Sequence, residues 1–365
     1  MTVSNFPWWY PCGAEPDSAG THFRVWAPER LAISAVISGR DAALDLVKSD
    51  DGYFGGFAAG VGDGARYAYL VDGKGPFADP ASRFQPDGPL KFSQVVDPGK
   101  FRWSDRGWRG IRIEGQVIYE MHVGTFTQEG TYRAAVEHLK ELADLGITVI
   151  ELMPLADFPG EFGWGYDGVD LFAPTRLYGA PDDLRAFIDR AHEIGVAVIL
   201  DVVYNHLGPV GNFLPEFSEG YFSKKHSTDW GSAIHFYGEG SAPVREFFAA
   251  NAAYWIAEYH FDGLRLDATQ NIYDESKDHI IAQVASNCRK AAGDRQIILV
   301  AENESQLTKL VQPADKGGYG LDAIWNDDFH HSASVAATGR REAYYTDYLG
   351  APQELISAAK YGFLY

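Results

Sequence analysis

Cysteines, apolar runs long enough to span a membrane and secretory patterns are scarce or missing in this sequence, and each shortage argues against a class of protein. Two cysteines, Cys12 and Cys288, are too few for a disulfide framework or a cysteine-based metal cluster, so we expect free thiols. No stretch approaches the roughly 20 apolar residues of a membrane-spanning helix. Residues 1–16 lack the basic stretch and apolar core of a secretory signal. The sequence therefore predicts a cytoplasmic protein.

Lysine and arginine are also few relative to aspartate and glutamate. The chain has 31 Lys and Arg against 50 Asp and Glu, a formal net charge of −19 at pH 7. Because phosphate binding needs clustered Lys and Arg, the composition argues against a nucleic-acid partner. Aromatic residues, in contrast, make up 14% of the chain, and Trp and Tyr recur beside Gly, Asp and His. This pattern suits a sugar-binding cleft, although packed sheets also use aromatic residues.

The 365 residues predict two domains, a small β-sandwich followed by an α/β barrel of the TIM, or (β/α)8, type. Residues 1–105 are rich in Gly and Pro and carry short alternating runs, which predict an antiparallel, immunoglobulin-like sandwich. We find no catalytic constellation there, so this domain either supports the next one or contacts carbohydrate, and support is favoured. Residues 106–365 alternate apolar strands with amphipathic helices, which indicates a parallel sheet with crossover helices.

About six strands are predicted in the second domain. They are residues 117–123, 147–155, 196–203, 261–268, 297–303 and 323–329. Helices are predicted over residues 132–145, 181–194, 244–259 and 274–292, and from about residue 353. Active sites of such barrels lie at the C-terminal ends of the strands. Polar residues occur there in all six strands, which is more than strand-end caps explain: His122, Glu151, Asp201, Arg265 with Asp267, Glu302 and Asn326.

Two acidic residues on consecutive predicted strands suit glycoside hydrolysis, which needs one ionised and one protonated carboxyl group. Arg265 and Asp267 are two residues apart on a strand and point the same way. Taken alone, such a pair is more often a structural ion pair. A guanidinium lowers the pKa of a neighbouring acid, which suits Asp267 as a nucleophile. Apolar surroundings raise the pKa of an acid, which suits Glu302 as the proton donor.

Three segments resemble the signature motifs of the alpha-amylase superfamily of glycoside hydrolases, in family order. They are residues 201–206 (DVVYNH), 263–268 (GLRLDA) and 300–303 (VAEN). The resemblance implies a retaining mechanism in which Asp267 is the nucleophile and Glu302 the general acid/base. It further implies that Arg265 orients the nucleophile.

The same resemblance assigns three residues to the sugar at the cleavage point. Asp201 and His206 are expected to support it. Tyr166, in the WGYD run at residues 164–167, is expected to lie under the same sugar ring. Ordinary loop packing is the alternative for Tyr166.

Within the superfamily, residues 208–213, 258–262 and 325–331 resemble malto-oligosyltrehalose trehalohydrolases more than branching enzymes. This resemblance covers nearly the whole chain from residue 23 onward. It implies cleavage of the α-1,4 bond next to a terminal trehalose unit, with release of trehalose. The expected partner is therefore an α-glucan oligosaccharide with a trehalose end.

The run WNDDFHH at residues 325–331 ends the sixth predicted strand and offers carboxylates and imidazoles to sugar hydroxyls. We assign to the leaving-group side Asp327, Asp328, His330 and His331, with Gln270 as a further member. A metal site is the alternative, disfavoured because the run lacks the i, i+4 helix spacing of metal ligands. We expect no metal, calcium included, and no cofactor.

The chain departs from the superfamily pattern near its end. The family has a third essential Asp in an Asn-His-Asp signature after the seventh strand, and this sequence has no counterpart. Two further strands and a C-terminal β-domain would follow in the family, so we expect a truncated record of a longer protein with an incomplete barrel. Two alternatives stay open: a glycogen branching transferase, and an α-glucan binder with impaired catalysis.

Overall fold

A computed structural model describes residues 9–364 of the chain. Residues 1–8, which belong to the predicted sandwich and to the segment examined for a secretory signal, and Tyr365 lie outside the described residues. Nine strands form the first part of the fold: β1 Gly13–Pro16, β2 Gly20–Trp26, β3 Ile33–Ile37, β4 Leu44–Asp45, β5 Val47–Lys48, β6 Tyr53–Ala59, β7 Arg66–Val71, β8 Lys74–Phe77 and β9 Ser93–Gln94.

These nine strands make two antiparallel sheets. One sheet has the order β1-β2-β6-β5, and the other has the order β4-β3-β7-β8 with β9 paired to β7. Apolar residues from both sheets, such as Phe23 and Phe54 from one and Ile33 and Tyr67 from the other, share one buried cluster. The alternation of buried and partly buried residues in β3 follows the two-residue period that the sequence shows. The arrangement is a β-sandwich.

The second part of the chain alternates strands with helices. Its strands are β10 Ile118–Met121, β11 Val149–Leu152, β12 Ala156–Asp157, β13 Asp170–Pro174, β14 Ala197–Val202, β15 Phe222–Thr228, β16 Gly231–Ile234, β17 Gly263–Leu266, β18 Ile298–Ala301 and β19 Ala323–Ile324. Its helices are α1 Val123–Phe126, α2 Tyr132–Val136, α3 Leu139–Leu145, α4 Pro181–Glu193, α5 Leu214–Phe217, α6 Ala242–Glu258, α7 Ile280–Ala292, α8 Asp327–Thr338 and α9 Pro352–Tyr361.

Six of these strands form one parallel sheet in the order β10-β11-β14-β17-β18-β19, which confirms the predicted incomplete barrel. All residues of β11, β14, β17 and β18 are buried, as expected for strands covered on both faces. Gly263 opens β17 at a close approach, because a Cβ atom there would lie 1.8 Å from the carbonyl oxygen of Ile298. Two antiparallel pairs, β12 with β13 and β15 with β16, extend from the loops after β11 and β14.

Two helix predictions need correction. Residues 274–279 are a loop and not the first turns of α7, because the Asp274 carboxylate accepts hydrogen bonds from the Ile280 backbone N–H at 2.6 Å and from Arg245 at 2.6 Å. The ring of His279 then caps the helix by accepting from the backbone N–H of Ile281. The predicted helix over residues 132–145 is two helices, α2 and α3, and it ends at Gly146 as predicted.

The sixth predicted strand is also wrong in its second half. β19 ends at Ile324, and α8 begins three residues later. The Asn326 side-chain oxygen accepts from the backbone N–H of Phe329 at 3.0 Å, and Asp327 and Asp328 follow in the first turn. These are the features of a helix N-terminus, which short polar side chains and acidic residues stabilise. The run at residues 325–331 is thus the start of a helix.

The segment between the sandwich and β10 crosses the N-terminal end of the parallel sheet. Trp108, Ile111 and Ile113 pack against a buried cluster from the sheet: Val149, Ala197, Ile199 and Ile298. The boundary at residue 105 remains a prediction.

Both cysteines are buried and free, as predicted. Across residues 9–364, no helix has both the length and the apolar character needed to cross a membrane.

Candidate active site

Five ionisable side chains meet at the C-terminal end of the parallel sheet, and we call them the upper cluster: Glu151, Asp201, Arg265, Asp267 and Glu302. Their positions follow from strand register. Asp201 on β14 is paired with Arg265 on β17, and Arg265 is in turn paired with Val300 on β18. Asp267 and Glu302 directly follow β17 and β18, so the sheet delivers both carboxyl groups to one place.

The Arg265 guanidinium is the centre of this cluster. Its Nη1 donates to both oxygens of Asp201 at 2.9 and 3.0 Å and to Oδ1 of Asp267 at 2.8 Å. Its Nη2 lies 3.0 Å from Oε2 of Glu302. The two terminal nitrogens of one guanidinium therefore hold the predicted nucleophile and the predicted acid. The two carboxyl groups converge on this planar cation.

Asp267 has a second donor that the sequence reasoning left without a role. Asn205 is buried, and its Nδ2 donates to Oδ2 of Asp267 at 2.8 Å and to the Asp267 carbonyl at 3.0 Å. Arg265 and Asn205 thus fix one oxygen of Asp267 each. Asn205 belongs to the DVVYNH run, which was the available signal.

Glu302 lies in a different environment from Asp267. Burial raises the pKa of Glu302, while Arg265 and the backbone N–H of Ala268, which donates to Oε2 at 2.9 Å, oppose the rise. Ala268 has a φ of 38° in the left-handed region, which is strained for a residue with a side chain. This strained residue directly follows the predicted nucleophile, and its N–H points at Glu302.

Asp201 and Tyr166 form one unit behind the two carboxyl groups. The Tyr166 hydroxyl donates to Oδ2 of Asp201 at 2.8 Å, and Asp201 is 1% exposed. Burial raises the pKa of Asp201 to about 7 even though Arg265 opposes the rise. In this structure Asp201 holds Arg265 and Tyr166 in place.

His206 is placed beside Tyr166 by hydrogen bonding and stacking. Its Nε2 lies 2.8 Å from the carbonyl oxygen of Tyr166, and burial lowers the pKa of His206. The indole of Trp230 stacks on the imidazole with ring centroids 4.9 Å apart and an angle of 6°. Trp230 lies in the turn between β15 and β16 and was not predicted. An Asp-Trp-Gly turn was its only sequence signal.

Exposed aromatic side chains also lie in the loop that carries Tyr166. Phe162 is 92% exposed and Trp164 is 73% exposed. Such flat apolar surfaces suit sugar rings.

The run that begins α8 divides into two groups. Asp327, His330 and His331 gather on one side, each bringing one ligand-type atom within 4.8 Å of the others. Burial raises the pKa of Asp327 and lowers that of His331. Asp328 differs, because it is 4% exposed and accepts from the Tyr348 hydroxyl at 2.9 Å and from the Leu364 backbone N–H. Asp328 therefore ties α8 to the segments around α9.

Gln270 occupies the 3-10 turn that follows Ala268. Its side-chain oxygen is buried and has no hydrogen-bond partner within residues 9–364. An unpaired acceptor three residues after Asp267 suits a sugar hydroxyl.

The helix at residues 327–338 removes the reason given against a metal site. Asp327, His330 and His331 have i, i+3 and i, i+4 spacing on α8, so these three side chains could hold a metal ion. A second acidic set, Glu120, Glu151 and Asp201, also has oxygens within 4.8 Å of one another. There the Arg265 cation already binds Asp201, which disfavours a second positive charge.

Known proteins resemble this chain at the level of domain, sequence and structure. The alpha-amylase catalytic domain family matches residues 96–245. A malto-oligosyltrehalose trehalohydrolase of Deinococcus radiodurans is 42% identical over 350 residues, covering 96% of this chain and 56% of the relative. The enzyme of the same name from Saccharolobus solfataricus is 41% identical over 353 residues, covering 97% of this chain and 62% of the relative. The chain thus spans little more than half the length of these relatives.

Two solved structures show the same architecture. A crystal structure of an alpha-amylase-like protein from Salmonella typhimurium superimposes with a TM-score of 0.92 at 42% identity, covering 98% of this chain and 61% of that one. A pullulanase from Bacillus acidopullulyticus superimposes with a TM-score of 0.69 at 24% identity, over 80% of this chain and 41% of its own, which shows a common fold.

Proposed function

Because this chain belongs to the alpha-amylase superfamily of glycoside hydrolases and is related to malto-oligosyltrehalose trehalohydrolases, we propose that it hydrolyses malto-oligosyl trehalose. The bond cleaved is the α-1,4-glucosidic bond next to the terminal trehalose, and trehalose is released with retained configuration. The observation that carries the reaction class is the convergence of Asp267 and Glu302 on Arg265.

In the first step, Glu302 gives its proton to the glycosidic oxygen, and Asp267 attacks the sugar carbon as that C–O bond breaks. Trehalose leaves, and the remaining oligosaccharide is bound to Asp267 as an ester. In the second step, Glu302 takes a proton from water, and the water oxygen displaces Asp267. The burial that raises the pKa of Glu302 supports this dual role, because the group must be protonated when the substrate arrives.

The remaining site residues divide between the two sides of the bond. We assign Arg265, Asp201, His206 and Tyr166 to the sugar that is attacked. We assign Gln270, Asp327, His330 and His331 to trehalose, because an end unit that differs from maltose in its linkage must be recognised by positioned polar groups. Asp328 joins this side through the helix that it anchors. A cytoplasmic location, inferred from the sequence, is part of the same proposal.

The test uses protein expressed from the complete reading frame. Maltotriosyl trehalose should yield trehalose and maltotriose, and NMR should show the new maltotriose end as the α-anomer. Maltopentaose, which has the same number of glucose units but no trehalose end, is the matched control and should be cleaved much more slowly. Release of only maltose or glucose would refute the assignment.

A branching transferase is the second candidate, because a GlgB branching enzyme of Pseudoalteromonas atlantica is 31% identical over 367 residues, covering 88% of this chain and 50% of the relative. A transferase would lower the iodine staining of amylose without creating reducing ends. An α-glucan binder with impaired catalysis would retain amylose in affinity electrophoresis and produce neither result.

A further inference from the structure

One edge of the Arg265 guanidinium is left without a hydrogen bond, and Glu151 faces it. Both terminal nitrogens are occupied, whereas Arg265 Nε is buried and has no hydrogen-bond partner among residues 9–364. Oε1 of Glu151 lies 4.0 Å from this Nε. Oε2 of Glu151 is likewise buried without a partner in the described part of the chain, and the residue is 2% exposed. Buried polar atoms without partners are rare in native proteins, so one on each of two neighbouring side chains calls for an explanation.

Strand register explains how Glu151 reaches this position. It is the third residue of β11, paired with Glu120 on β10 and with Ile199 on β14. Its side chain therefore points into the interior of the incomplete barrel, below the C-terminal ends of the strands. The Arg265 side chain reaches the same place from β17. Glu151 is one of the polar residues predicted at the strand ends, but the sequence predicts no role for it.

The ionisable groups around Glu151 come from four other strands of the parallel sheet or from the residues that directly follow them. Glu120 approaches from β10, Asp201 from β14, Arg265 from β17 and Glu302 from β18. Burial and the nearby acids raise the pKa of Glu151 to about 8, and Arg265 opposes the rise. The raised pKa favours the neutral form of Glu151, which can face Arg265 without adding to the excess of negative charge.

We propose that Glu151 is a positioning residue that closes the Nε edge of Arg265 and thereby fixes the guanidinium between Asp267 and Glu302. The inference rests on the proposed function only in taking those two residues as nucleophile and acid. When Asp267 bonds to the sugar, its negative charge is consumed and Arg265 loses one counter-charge. A carboxyl group held at Nε keeps the guanidinium in place until water releases the sugar.

The experiment compares Glu151→Leu and Glu151→Gln, with Glu120→Gln as the matched control. Glu120 is the exposed register partner of Glu151 on the neighbouring strand. A 2-fluoro glucosyl fluoride inactivator, which esterifies the nucleophile, reports the labelling rate of Asp267 by mass spectrometry without requiring a trehalose substrate. Values of kcat and KM, and the pH profile of kcat, are measured on the substrate that the wild-type protein cleaves.

Glu151→Leu should lower both kcat and the labelling rate by about 10- to 100-fold, with KM within about threefold of wild type. Glu151→Gln keeps an oxygen toward Nε and should retain the wild-type rate near pH 6. Its alkaline limb should lie at lower pH, because an ionised Glu151 raises the pKa of Glu302 and glutamine does not ionise. Glu120→Gln should leave the labelling rate unchanged.

A folded Glu151→Leu variant with wild-type labelling would overturn the proposal. If that variant does not fold, a Glu151→Gln pH profile that superimposes on wild type does the same. Failure of the trehalose assay alone refutes the proposed substrate and leaves the labelling experiment intact. Absence of any labelling at Asp267 in wild type refutes the nucleophile and the Glu151 role together.

Discussion

Strand β17 carries a buried charge cluster at each end, and the two clusters are built on opposite plans. The upper cluster has four carboxyl groups around one guanidinium, and two of its buried polar atoms have no partner in the described chain. At the other end, Asp262 precedes the strand and belongs to what we call the lower cluster: Asp105, Trp108, His192, His260 and Asp262. There each acid is matched by a donor.

The lower cluster holds the inter-domain segment to the sheet. His192 lies between two carboxylates, with Nδ1 2.9 Å from Asp105 and Nε2 2.9 Å from Asp262. Trp108 stacks on His192 at 4.6 Å and donates its indole N–H to Asp262 at 2.6 Å. His260 lies 2.7 Å from Asp105. This network satisfies its charges, so its effect is structural.

The comparison shows how burial serves two purposes. Balanced charges in a dry environment fix one arrangement, and removing one partner is costly. An excess of acids in the same environment forces some groups to keep protons that they would lose in water. That excess suits the proposed reaction, in which an ionised Asp267 acts beside a protonated Glu302.

The largest predicted effect is on the rate after Asp267→Ala. Turnover should fall by about 10³-fold or more, because the nucleophile is lost. The free energy of unfolding should stay the same or rise, because one acid leaves a cluster with too many. Steady-state turnover and urea unfolding are measured on the same preparation, with retained glucan binding as the control. A variant with the normal rate would remove Asp267 as the nucleophile.

The next largest predicted effect is the loss of turnover in the Glu302→Gln variant. The variant lacks a proton for the glycosidic oxygen, so turnover of the natural substrate should fall by about 10²- to 10⁴-fold. The leaving group of a maltosyl fluoride needs no protonation. The first step on this substrate should therefore be slowed much less, relative to wild type, than the first step on the natural substrate. Equal loss on both substrates, or an unchanged rate on the natural one, would contradict the role of general acid.

At the lower cluster the order of effects should reverse. His192→Gln removes the imidazole that lies between two buried carboxylates, Asp105 and Asp262, and the free energy of unfolding should fall by about 3 kcal/mol. Turnover per folded molecule should be kept, because the lower cluster lies at the opposite end of β17 from the upper cluster. His260→Gln is the matched control, since its side chain is 26% exposed, pairs with one carboxylate, Asp105, and stacks on Trp103, and it should cost less than half as much. A fall in turnover per folded molecule together with the fall in the free energy of unfolding would show that the two clusters are coupled.

The contrast between the clusters also explains what the sequence could predict. The parallel sheet and the convergence of Asp267, Glu302 and Arg265 were predictable, because apolar strand runs fix which residues follow each strand. The lower cluster was not, since Asp105, His192 and Asp262 lie far apart in the chain and show no common motif. Only packing brings them together.

Two local errors have the same origin. The continuation of β19 through residue 329 was wrong because the Asn326 cap was not weighed as a helix start. The start of α7 was misplaced because Asp274 hydrogen-bonds to the Ile280 N–H and to Arg245. Hydrogen bonds from side chains to the backbone decide where such helices begin. The spacing of the hydrophobic residues does not reveal these boundaries.

Per pH unit, the smallest predicted effect is a pH dependence of stability in which each cluster has its own window. The raised pKa values of Glu151, about 8, and Asp201, about 7, mean that the unfolded chain loses these protons first. Stability should therefore fall as pH rises from about 4 to 8. Burial opposes a charged His192, but its hydrogen bonds to Asp105 and Asp262 raise its pKa. Its contribution is complete below the unfolded value of about 6.5 and is lost as pH rises through the folded pKa.

Because both contributions fall with rising pH, wild-type unfolding alone does not separate them, and variants do. Glu151→Gln should flatten the slope below pH 8 by up to about 1.4 kcal/mol per pH unit, the effect of one proton. His192→Gln should flatten it only above about pH 6.5. Urea unfolding at half-unit steps from pH 5 to 9 resolves the two windows. If both variants kept the wild-type slope throughout, neither cluster would hold its protons as its surroundings require, and the distinction between the two ends of β17 would lose its electrostatic basis.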